Sequence, residues 1–381
     1  MKNSLPHGLG RTCIVLGAGA TRGSSLAKGG AFPLPPLDSD FFTQIQRIKN
    51  RKYHIYISRL LKYCFLEFGP SWELSMEGFF NHLWYSKTFL GRRKIWIGDR
   101  RKRSGPLPET RSRKYKYVDD VFRQVFLGVL EESLFGEHSG NVFDQSCIYH
   151  NALARSLDPD DSIISFNYDC VADVSLANYC QRWNPQKSYG FQPYEDENVD
   201  YWRRRGTRNL SSLVKLYKLH GSVNWQQKGQ SIRLTQKPYT RMNSDRDFFI
   251  VPPVLSKELW MSDELESVWG HAASSLDNAA SIIIIGYSLP EADALATELF
   301  RTRSRRVNRQ DIKKPSLRYL ISVDPIKAIR KKHRDIFRSS LSQQTRILSF
   351  DTLEEFSKYL FSKDQQFLND LDPPTNYLKI T

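Results

Sequence analysis

The sequence predicts an α/β protein whose core is a doubly wound, mainly parallel β-sheet. Short aliphatic runs lead into turns that contain Gly, Asn, His or Asp, and in the second half of the chain these runs alternate with helical patterns. We expect strands at 12–17, 162–166, 216–219, 281–286, 317–323 and 346–350. We expect helices between the later strands, at 264–279, 291–303, 326–338 and 352–361.

A helical lobe is expected to interrupt this alternation. Residues 38–157 contain long amphipathic stretches and little strand signal. We therefore assign residues 1–37 and 158–381 to the sheet domain and residues 38–157 to an inserted helical lobe. At 381 residues the chain is long enough for both parts to have a core of their own.

Composition excludes several classes of protein. The chain contains no apolar run of the 18–20 residues needed to cross a bilayer, and its N-terminus does not resemble a secretory signal, so we expect a cytoplasmic protein without a membrane partner. The five cysteines are scattered and form no Cys-x-x-Cys pair. A zinc ribbon is thereby excluded, a disulfide framework is disfavoured, and no metal site is predicted.

Much of the net charge of +15 lies in one segment. Residues 91–117 contain eleven Lys or Arg and two acidic residues. Its Gly and Pro residues predict a mobile loop outside the ligand cleft. Arg92 to Lys116 is a candidate contact for nucleic acid, and a solvated loop or an oligomer contact is the alternative. Trp84 and Trp96 are candidate contacts between copies of the chain.

The first candidate ligand loop follows the first predicted strand. From Leu16 to Ser24 the sequence is LGAGATRGS, and its glycines permit a tight turn in which backbone N–H groups approach a phosphate. The third glycine, Gly23, comes one position later than the dinucleotide fingerprint requires. A plain turn between a strand and a helix therefore remains an alternative.

Two more polar turns follow the next two predicted strands. In the run SFNYD, Asn167 and Asp169 are placed to present an amide and a carboxylate to one cleft, although an ordinary helix cap is the alternative. In the run LHGS, His220 is suited to accept a proton near neutral pH, although a lone histidine is more often structural. His150 and His333 fall in helical patterns and are interpreted as core or surface residues.

Two further turns complete the set. In the run GYSLPEAD, a buried strand stops at Gly286 and a helix is expected beyond Pro290, so that Ser288 lies in a turn where it can bind a ribose or phosphate oxygen. In the run VDP, Asp324 places a carboxylate at another strand end. Such an acid commonly pairs with ribose hydroxyls, and a helix cap is the equal alternative.

Taken in order, GAGAT, SFNYD, LHGS, GYSLPEAD and VDP resemble the sirtuin-related family, in particular its bacterial antiphage-defence branch. The resemblance spans Leu16 to Asp324. It implies a Rossmann-like domain that takes NAD+ as a substrate and breaks the nicotinamide–ribose bond. It implies catalytic roles for Asn167 and His220, and binding roles for Gly17, Ala18, Gly19, Thr21, Asp169, Gly286, Ser288 and Asp324.

The same resemblance implies a setting for this activity. The four-cysteine zinc ribbon of the protein deacetylases has no counterpart here, so hydrolysis of NAD+ is favoured over deacetylation. The expected role is an antiviral effector that depletes NAD+, works as a homo-oligomer and pairs with a hexameric HerA-type ATPase. A nuclease that uses the basic segment and a non-catalytic sensor of NAD+ or ADP-ribose are the alternatives.

Overall fold

A computed structural model describes most of the chain. Its described residues are 9–27, 29–86, 107–136, 141–144, 146–203, 212–228, 231–239, 248–251, 262–290, 293–304 and 317–361.

Six parallel strands form the central sheet, in the order β3-β2-β1-β7-β8-β9. The strands of the protein, numbered along the chain, are β1 (Thr12–Leu16), β2 (Ser162–Ser165), β3 (Lys215–Lys218), β4 (Gly221–Lys228), β5 (Ser231–Leu234), β6 (Phe248–Ile250), β7 (Ser281–Ile285), β8 (Tyr319–Val323) and β9 (Arg346–Phe350). The central strands β1, β2 and β7 are buried along their whole length, as expected for a sheet covered on both faces. The predicted fold class is confirmed, and each of the six predicted strands lies within two residues of its expected bounds.

The strand order fixes where a ligand crevice can form. From β1 the sheet extends through β2 to β3, and the chain then returns to place β7 on the other side of β1. The order therefore reverses between β1 and β7. In open α/β sheets of this Rossmann-like kind, ligands bind beyond the carboxyl ends of the strands at such a reversal.

A small antiparallel sheet, in the order β5-β4-β6, follows β3 directly and was not predicted. Its central strand reads GSVNWQQK, in which Ser222 and Asn224 are polar and fully buried. Polar and apolar residues do alternate from Ser222 to Gln226, which is a strand pattern, but sequence analysis interpreted this run only as the turn after β3 that carries His220.

Helices account for most of the other regular structure in the described part of the chain. The α-helices are α1 (Ala18–Arg22), α2 (Phe41–Ile45), α3 (Arg51–Phe68), α4 (Met76–Tyr85), α5 (Leu107–Phe135), α6 (Ile148–Ser156), α7 (Val171–Tyr179), α8 (Pro185–Ser188), α9 (Glu197–Trp202), α10 (Asp263–Asn278), α11 (Ala294–Ser304), α12 (Lys327–Ile336) and α13 (Leu353–Phe361), and 3-10 turns lie at Asp38–Asp40, Val142–Asp144 and Arg338–Ser340. No described helix has both the length and the apolar character needed to cross a membrane.

The described residues fall into two compact units. The first lies within Met1–Ala27, Gly140–Val251 and Ser256–Thr381, and the second within Lys28–Ser139. Helix α6 belongs to the first unit, because it packs against α7, whereas sequence analysis had assigned residues up to 157 to the helical lobe.

The second unit is helical and has an aromatic core. Phe41, Phe79, Phe122 and Phe126 are buried in it, and the rings of Phe79 and Phe122 stack with their centroids 5.2 Å apart. The predicted loop at 91–117 is wrong in its last part, because α5 begins at Leu107 and accommodates Pro108 in its first turn, where no backbone N–H is needed. Residues 87–106, Trp96 among them, and the side chain of Trp84 lie outside what the structure describes.

Candidate functional site

All five sequence motifs lie at the carboxyl ends of the parallel strands. Gly17 follows β1, Phe166 follows β2, Leu219 follows β3, Gly286 follows β7 and Asp324 follows β8. Parallel pairing puts these ends at one edge of the sheet, so the candidate residues of the first unit share that edge. The reversal of strand order falls within it, between Gly17 and Gly286.

The glycine turn after β1 packs backbone to backbone against the turn after β7. The N–H of Gly17 donates to the carbonyl of Ile285 at 3.0 Å, and the N–H of Gly19 donates to the carbonyl of Gly286 at 2.9 Å. A Cβ atom added to Gly286 would lie 2.3 Å from the backbone nitrogen of Ala20, and Gly286 has a φ of +58°. The glycines are therefore required by the close approach of two turns.

This packing gives different roles to Gly17 and Gly19 on one side and to Ala18 and Thr21 on the other, although all four were expected to bind phosphate. The amides of Gly17 and Gly19 are engaged with the β7 turn, so these residues shape the loop. Ala18 is exposed, whereas Thr21 is buried.

Asn167 is anchored to this turn by its side chain. Its Nδ2 donates to the carbonyl of Gly17 at 2.9 Å and to Oγ1 of Thr21 at 3.0 Å. Thr21 in turn donates to Oδ2 of Asp169 at 2.7 Å. The amide group is thus held in one orientation, and its Oδ1 accepts no hydrogen bond from the described residues. That oxygen is the atom of Asn167 that a substrate or water can use.

Asp169 has both carboxylate oxygens engaged within the protein. Oδ2 accepts from Thr21, and Oδ1 accepts from the backbone N–H of Val171 at 3.0 Å, in the first turn of α7. Asp169 therefore does cap helix α7 through Oδ1, as the alternative interpretation of the sequence proposed. Asp169 lies in the same hydrogen-bonded cluster as Asn167 and acts there by positioning Thr21.

A buried ion pair that sequence analysis missed stabilises the segment that contains Asp169. Lys218, the last residue of β3, donates through Nζ to Oδ2 of Asp173 at 2.8 Å and to the carbonyl of Asp169 at 2.5 Å. Burial is the largest influence and acts to lower the pKa of Lys218, but Asp173, Cys170 and Asp169 together outweigh it and raise that pKa. Tyr189 completes the cluster by donating its hydroxyl to Asp173 at 2.6 Å. These contacts fix the backbone at Asp169.

His220 is paired with a second buried acid. Its Nε2 lies 3.1 Å from Oδ2 of Asp293, and the exposed fractions of the two side chains are 6% and 0%. Tyr287 donates its hydroxyl to the same Oδ2 at 3.0 Å, and the backbone N–H of Ala296 donates to Oδ1 at 3.1 Å. A neutral imidazole that donates from Nε2 has Nδ1 as its basic nitrogen. The carboxylate orients the ring and stabilises the imidazolium that forms when the ring accepts a proton.

Phe166 links the two parts of the site. It directly precedes Asn167, and its ring stacks on the ring of Tyr287 with centroids 3.9 Å apart and an interplanar angle of 5°. The rings of Phe166 and His220 also pack in a T-shaped arrangement, with their centroids 5.3 Å apart. Phe166, Tyr287 and His220 are therefore one packed group, which is joined to Asn167 through the backbone.

Asp293 and Tyr287 were not identified as site residues from the sequence. Both belong to the run GYSLPEAD, where an acid just before a helix was interpreted only as part of a helix start. Asp293 does cap α11 with one oxygen, while the other faces His220.

Ser288 and Asp324 lie at the same edge but outside this group. Ser288 is exposed in the turn after β7, next to Leu289, which has a φ of +53°. Oδ1 of Asp324 accepts the N–H of Ile326 at 2.9 Å, so its cap interpretation also describes a real contact. Burial raises the pKa of Asp324, although the Ile326 N–H and Arg330 oppose that effect. Neither residue hydrogen-bonds to Asn167 or His220 in the described part of the chain.

Helix α12 holds the turn that carries Tyr287 and Ser288. His333 is fully buried on this helix, and its Nε2 lies 2.6 Å from the carbonyl of Tyr287. Lys332 donates to the carbonyl of Leu289. Burial lowers the pKa of His333 to about 4, an effect that the Tyr287 carbonyl only partly opposes. The ring is therefore neutral at neutral pH.

We expect His333 to make the protein less stable in acid. Its folded pKa of about 4 lies below the ordinary value of 6.5, so its contribution to the free energy of unfolding is complete above pH 6.5 and is lost as the pH falls through 4. The loss amounts to roughly 3 kcal/mol at pH 4. His333→Gln keeps a donor for Tyr287 but does not titrate. Denaturant unfolding between pH 7 and 4.5 should show a shallower decline for this variant.

The matched control is His271→Gln, because His271 is an exposed histidine on α10. This control should decline with pH as the unmodified protein does. Equal declines for His333→Gln and the unmodified protein would contradict the assignment.

No protein-family model matches the chain, and no curated protein is significantly similar to it in sequence.

Proposed function

We propose that the protein is an NAD+ glycohydrolase that breaks the nicotinamide–ribose bond and releases nicotinamide and ADP-ribose. The observation that carries this proposal is the pairing of His220 with the fully buried Asp293 at the sheet edge that also bears Asn167 and the glycine turn. Hydrolysis at a sugar carbon requires an oriented base and a fixed polar group, and this sheet edge carries both.

The proposed reaction uses the protein's own side chains. Departure of nicotinamide develops positive charge on the ribose, and a water molecule adds to the same carbon. Asn167, fixed by Gly17 and Thr21, uses Oδ1 to orient the water or a ribose hydroxyl. His220 accepts the proton that the water gives up. Asp293 stabilises the resulting imidazolium, so that the net products are nicotinamide, ADP-ribose and a proton.

The choice of NAD+ rests on topology and on the family resemblance. The reversal of strand order between β1 and β7 is the position at which Rossmann-like sheets bind dinucleotides. The exposed Ala18 and Ser288 flank this position, and Asp324 follows on the next strand. An antiviral role through NAD+ depletion, a homo-oligomeric state and a HerA-type ATPase partner stay predictions of the resemblance.

A direct test incubates the full chain with NAD+ and follows release of nicotinamide and ADP-ribose by chromatography, with NAD+ binding measured in parallel by calorimetry. Release of both products in equal amounts is expected. Binding without product release would instead support a non-catalytic sensor. Degradation of DNA with NAD+ left intact would support a nuclease.

Replacing Asp293 by Asn should lower turnover about tenfold to a hundredfold. Asn keeps the shape of the side chain and can still cap α11, but it removes the negative charge that faces His220. Without that charge the imidazolium loses its proton more readily. The acidic limb of the plot of kcat against pH should therefore move to lower pH, which a purely structural loss would not produce.

Asp335→Asn is the matched control, because Asp335 is an exposed acid on α12 outside the site. It should leave both kcat and its pH profile unchanged. An Asp293→Asn variant with the turnover of the unmodified protein would remove the acid from the mechanism.

A further inference from the structure

A cysteine and a histidine form a close pair that the proposed hydrolysis does not use. Sγ of Cys147 lies 3.1 Å from Nδ1 of His150, and the two residues are 0% and 4% exposed. Cys147 is the residue immediately before helix α6, and His150 lies in the first turn of that helix. The sulfur therefore sits where the partial positive charge of the helix favours an anion.

The surroundings of Cys147 favour its charged form. Burial is the largest influence and acts against the thiolate, but the His150 ring and the backbone amides of His150 and Ser25 together outweigh it and lower the pKa of Cys147. Burial likewise is the largest influence on His150 and acts to lower its pKa, but the Cys147 sulfur and Asp169 together outweigh it and raise that pKa. The other four cysteines behave oppositely, because burial raises the pKa of each.

Charged groups on the neighbouring elements support the same state. Asp169, before α7, raises the pKa of His150 and so favours the imidazolium. Tyr149 faces Cys147 and Glu354 of α13, and burial followed by Glu354 raises its pKa to about 12, so it is neutral near pH 7. The His150 imidazolium is thus supported by the Asp169 carboxylate, and the Cys147 thiolate has the neutral Tyr149 as its neighbour.

We propose that Cys147 and His150 form a thiolate–imidazolium pair that is a site of oxidation by small hydroperoxides. The sulfur attacks one oxygen of hydrogen peroxide, an S–O bond forms and the O–O bond breaks. The sulfur loses two electrons and becomes a sulfenic acid. The departing hydroxide takes the proton from His150, which leaves water and a neutral imidazole.

Burial selects the size of the oxidant. No part of Cys147 is exposed, so a bulky electrophile is excluded from the sulfur, whereas hydrogen peroxide is close to water in size. Ser25, whose backbone amide faces the sulfur, is itself exposed. This site does not depend on the proposed NAD+ chemistry.

The test compares the five cysteines of the full chain with one another. The folded protein is treated with hydrogen peroxide, catalase ends the reaction, and the remaining thiols are alkylated in denaturant. Peptide mass spectrometry then gives the oxidised fraction at each cysteine. We expect Cys147 to be oxidised at least ten times faster at pH 7 than Cys64 or any other cysteine. Its rate should level off near pH 8, since an activated thiol is already ionised there.

His150→Gln tests the partner. It should lower the Cys147 rate at pH 7 about tenfold and move the midpoint of its pH dependence upward by at least one unit. His271→Gln should change neither. The proposal is overturned if Cys147 reacts no faster than Cys64 in the unmodified protein, or if His150→Gln keeps both rate and midpoint. Should His150→Gln fail to fold, the comparison among cysteines and the pH profile in the unmodified protein decide the matter.

Discussion

We expect His220→Ala to lower the rate of nicotinamide release by roughly a hundredfold or more, because general-base catalysis contributes about that much. The imidazole of His220 pairs with Asp293, and alanine removes it while leaving the backbone contact between the His220 carbonyl and Val251 available. Affinity for NAD+ should stay within about threefold, since the glycine turn does not depend on the ring.

Asn167→Ala should lower the rate of nicotinamide release by a similar factor, because it removes the group that orients the water or the ribose. The variant removes Oδ1, and it also removes the two bonds from Nδ2 to Gly17 and Thr21. His271→Gln serves as the control for both variants. Product release and calorimetric affinity should be measured on the same preparations. If His220→Ala keeps full release, the base assignment is wrong, and if Asn167→Ala does too, the catalytic site lies elsewhere.

Gly286→Ala should destabilise the protein by about 3 kcal/mol or more. The added Cβ would lie 2.3 Å from the backbone nitrogen of Ala20 and 2.3 Å from the carbonyl carbon of Gly19, and a φ of +58° is itself unfavourable for alanine. Backbone atoms cannot turn away as a side chain can. Denaturant unfolding should therefore show a large fall in the midpoint.

Gly270→Ala is the matched control. Gly270 lies inside α10, and apart from its chain neighbours and the nearby backbone of its own helix no atom lies within 4 Å of the position its Cβ would take. Alanine favours the helix there, so stability should rise by roughly 0.5–1 kcal/mol. A Gly286→Ala protein as stable as the unmodified one would show that the two turns do not pack as described.

Gly19→Val should also be harmful. From the sequence alone, the predicted reason is that a β-branched side chain would occupy the space of the phosphates and resist a positive φ. Gly19 is not among the residues with positive φ, and its Cβ would instead meet Cα of Gly286 at 2.7 Å. We therefore expect loss of stability together with any loss of binding.

The sheet was predictable because its strands carry their own signal. Runs such as Ile282–Ile285 are aliphatic throughout, and a turn residue follows each one, so strand positions and the shared edge of the motifs could be inferred locally. Residues that act through distant partners could not be found in this way. The pairing of His220 with Asp293 joins residues far apart in the chain, and Cys147 with His150 looks in sequence like an ordinary core cysteine near a helical histidine.

The antiparallel strands and the start of α5 were also missed, because the position that their polar and proline residues take in the folded chain cannot be inferred locally. Asn224 is buried because Asp173 and Tyr189 lie within hydrogen-bond distance of its amide, a compensation that appears only once the fold is formed. Pro108 was interpreted as a helix breaker, yet in the first turn of α5 it costs the helix nothing.

Strand β1 is the first part of the sheet to be synthesised, but its last neighbour comes late. It pairs on one side with β2 and on the other with β7, whose first residue is Ser281. At a translation rate of about 5–20 residues per second, the ribosome adds β7 roughly 13–50 seconds after β1. Until then the turn at Gly17 and Gly19 has no Gly286 backbone against which to pack. A nascent chain that stops before β7 also lacks Asp293, so neither half of the proposed site can be complete on an unfinished protein.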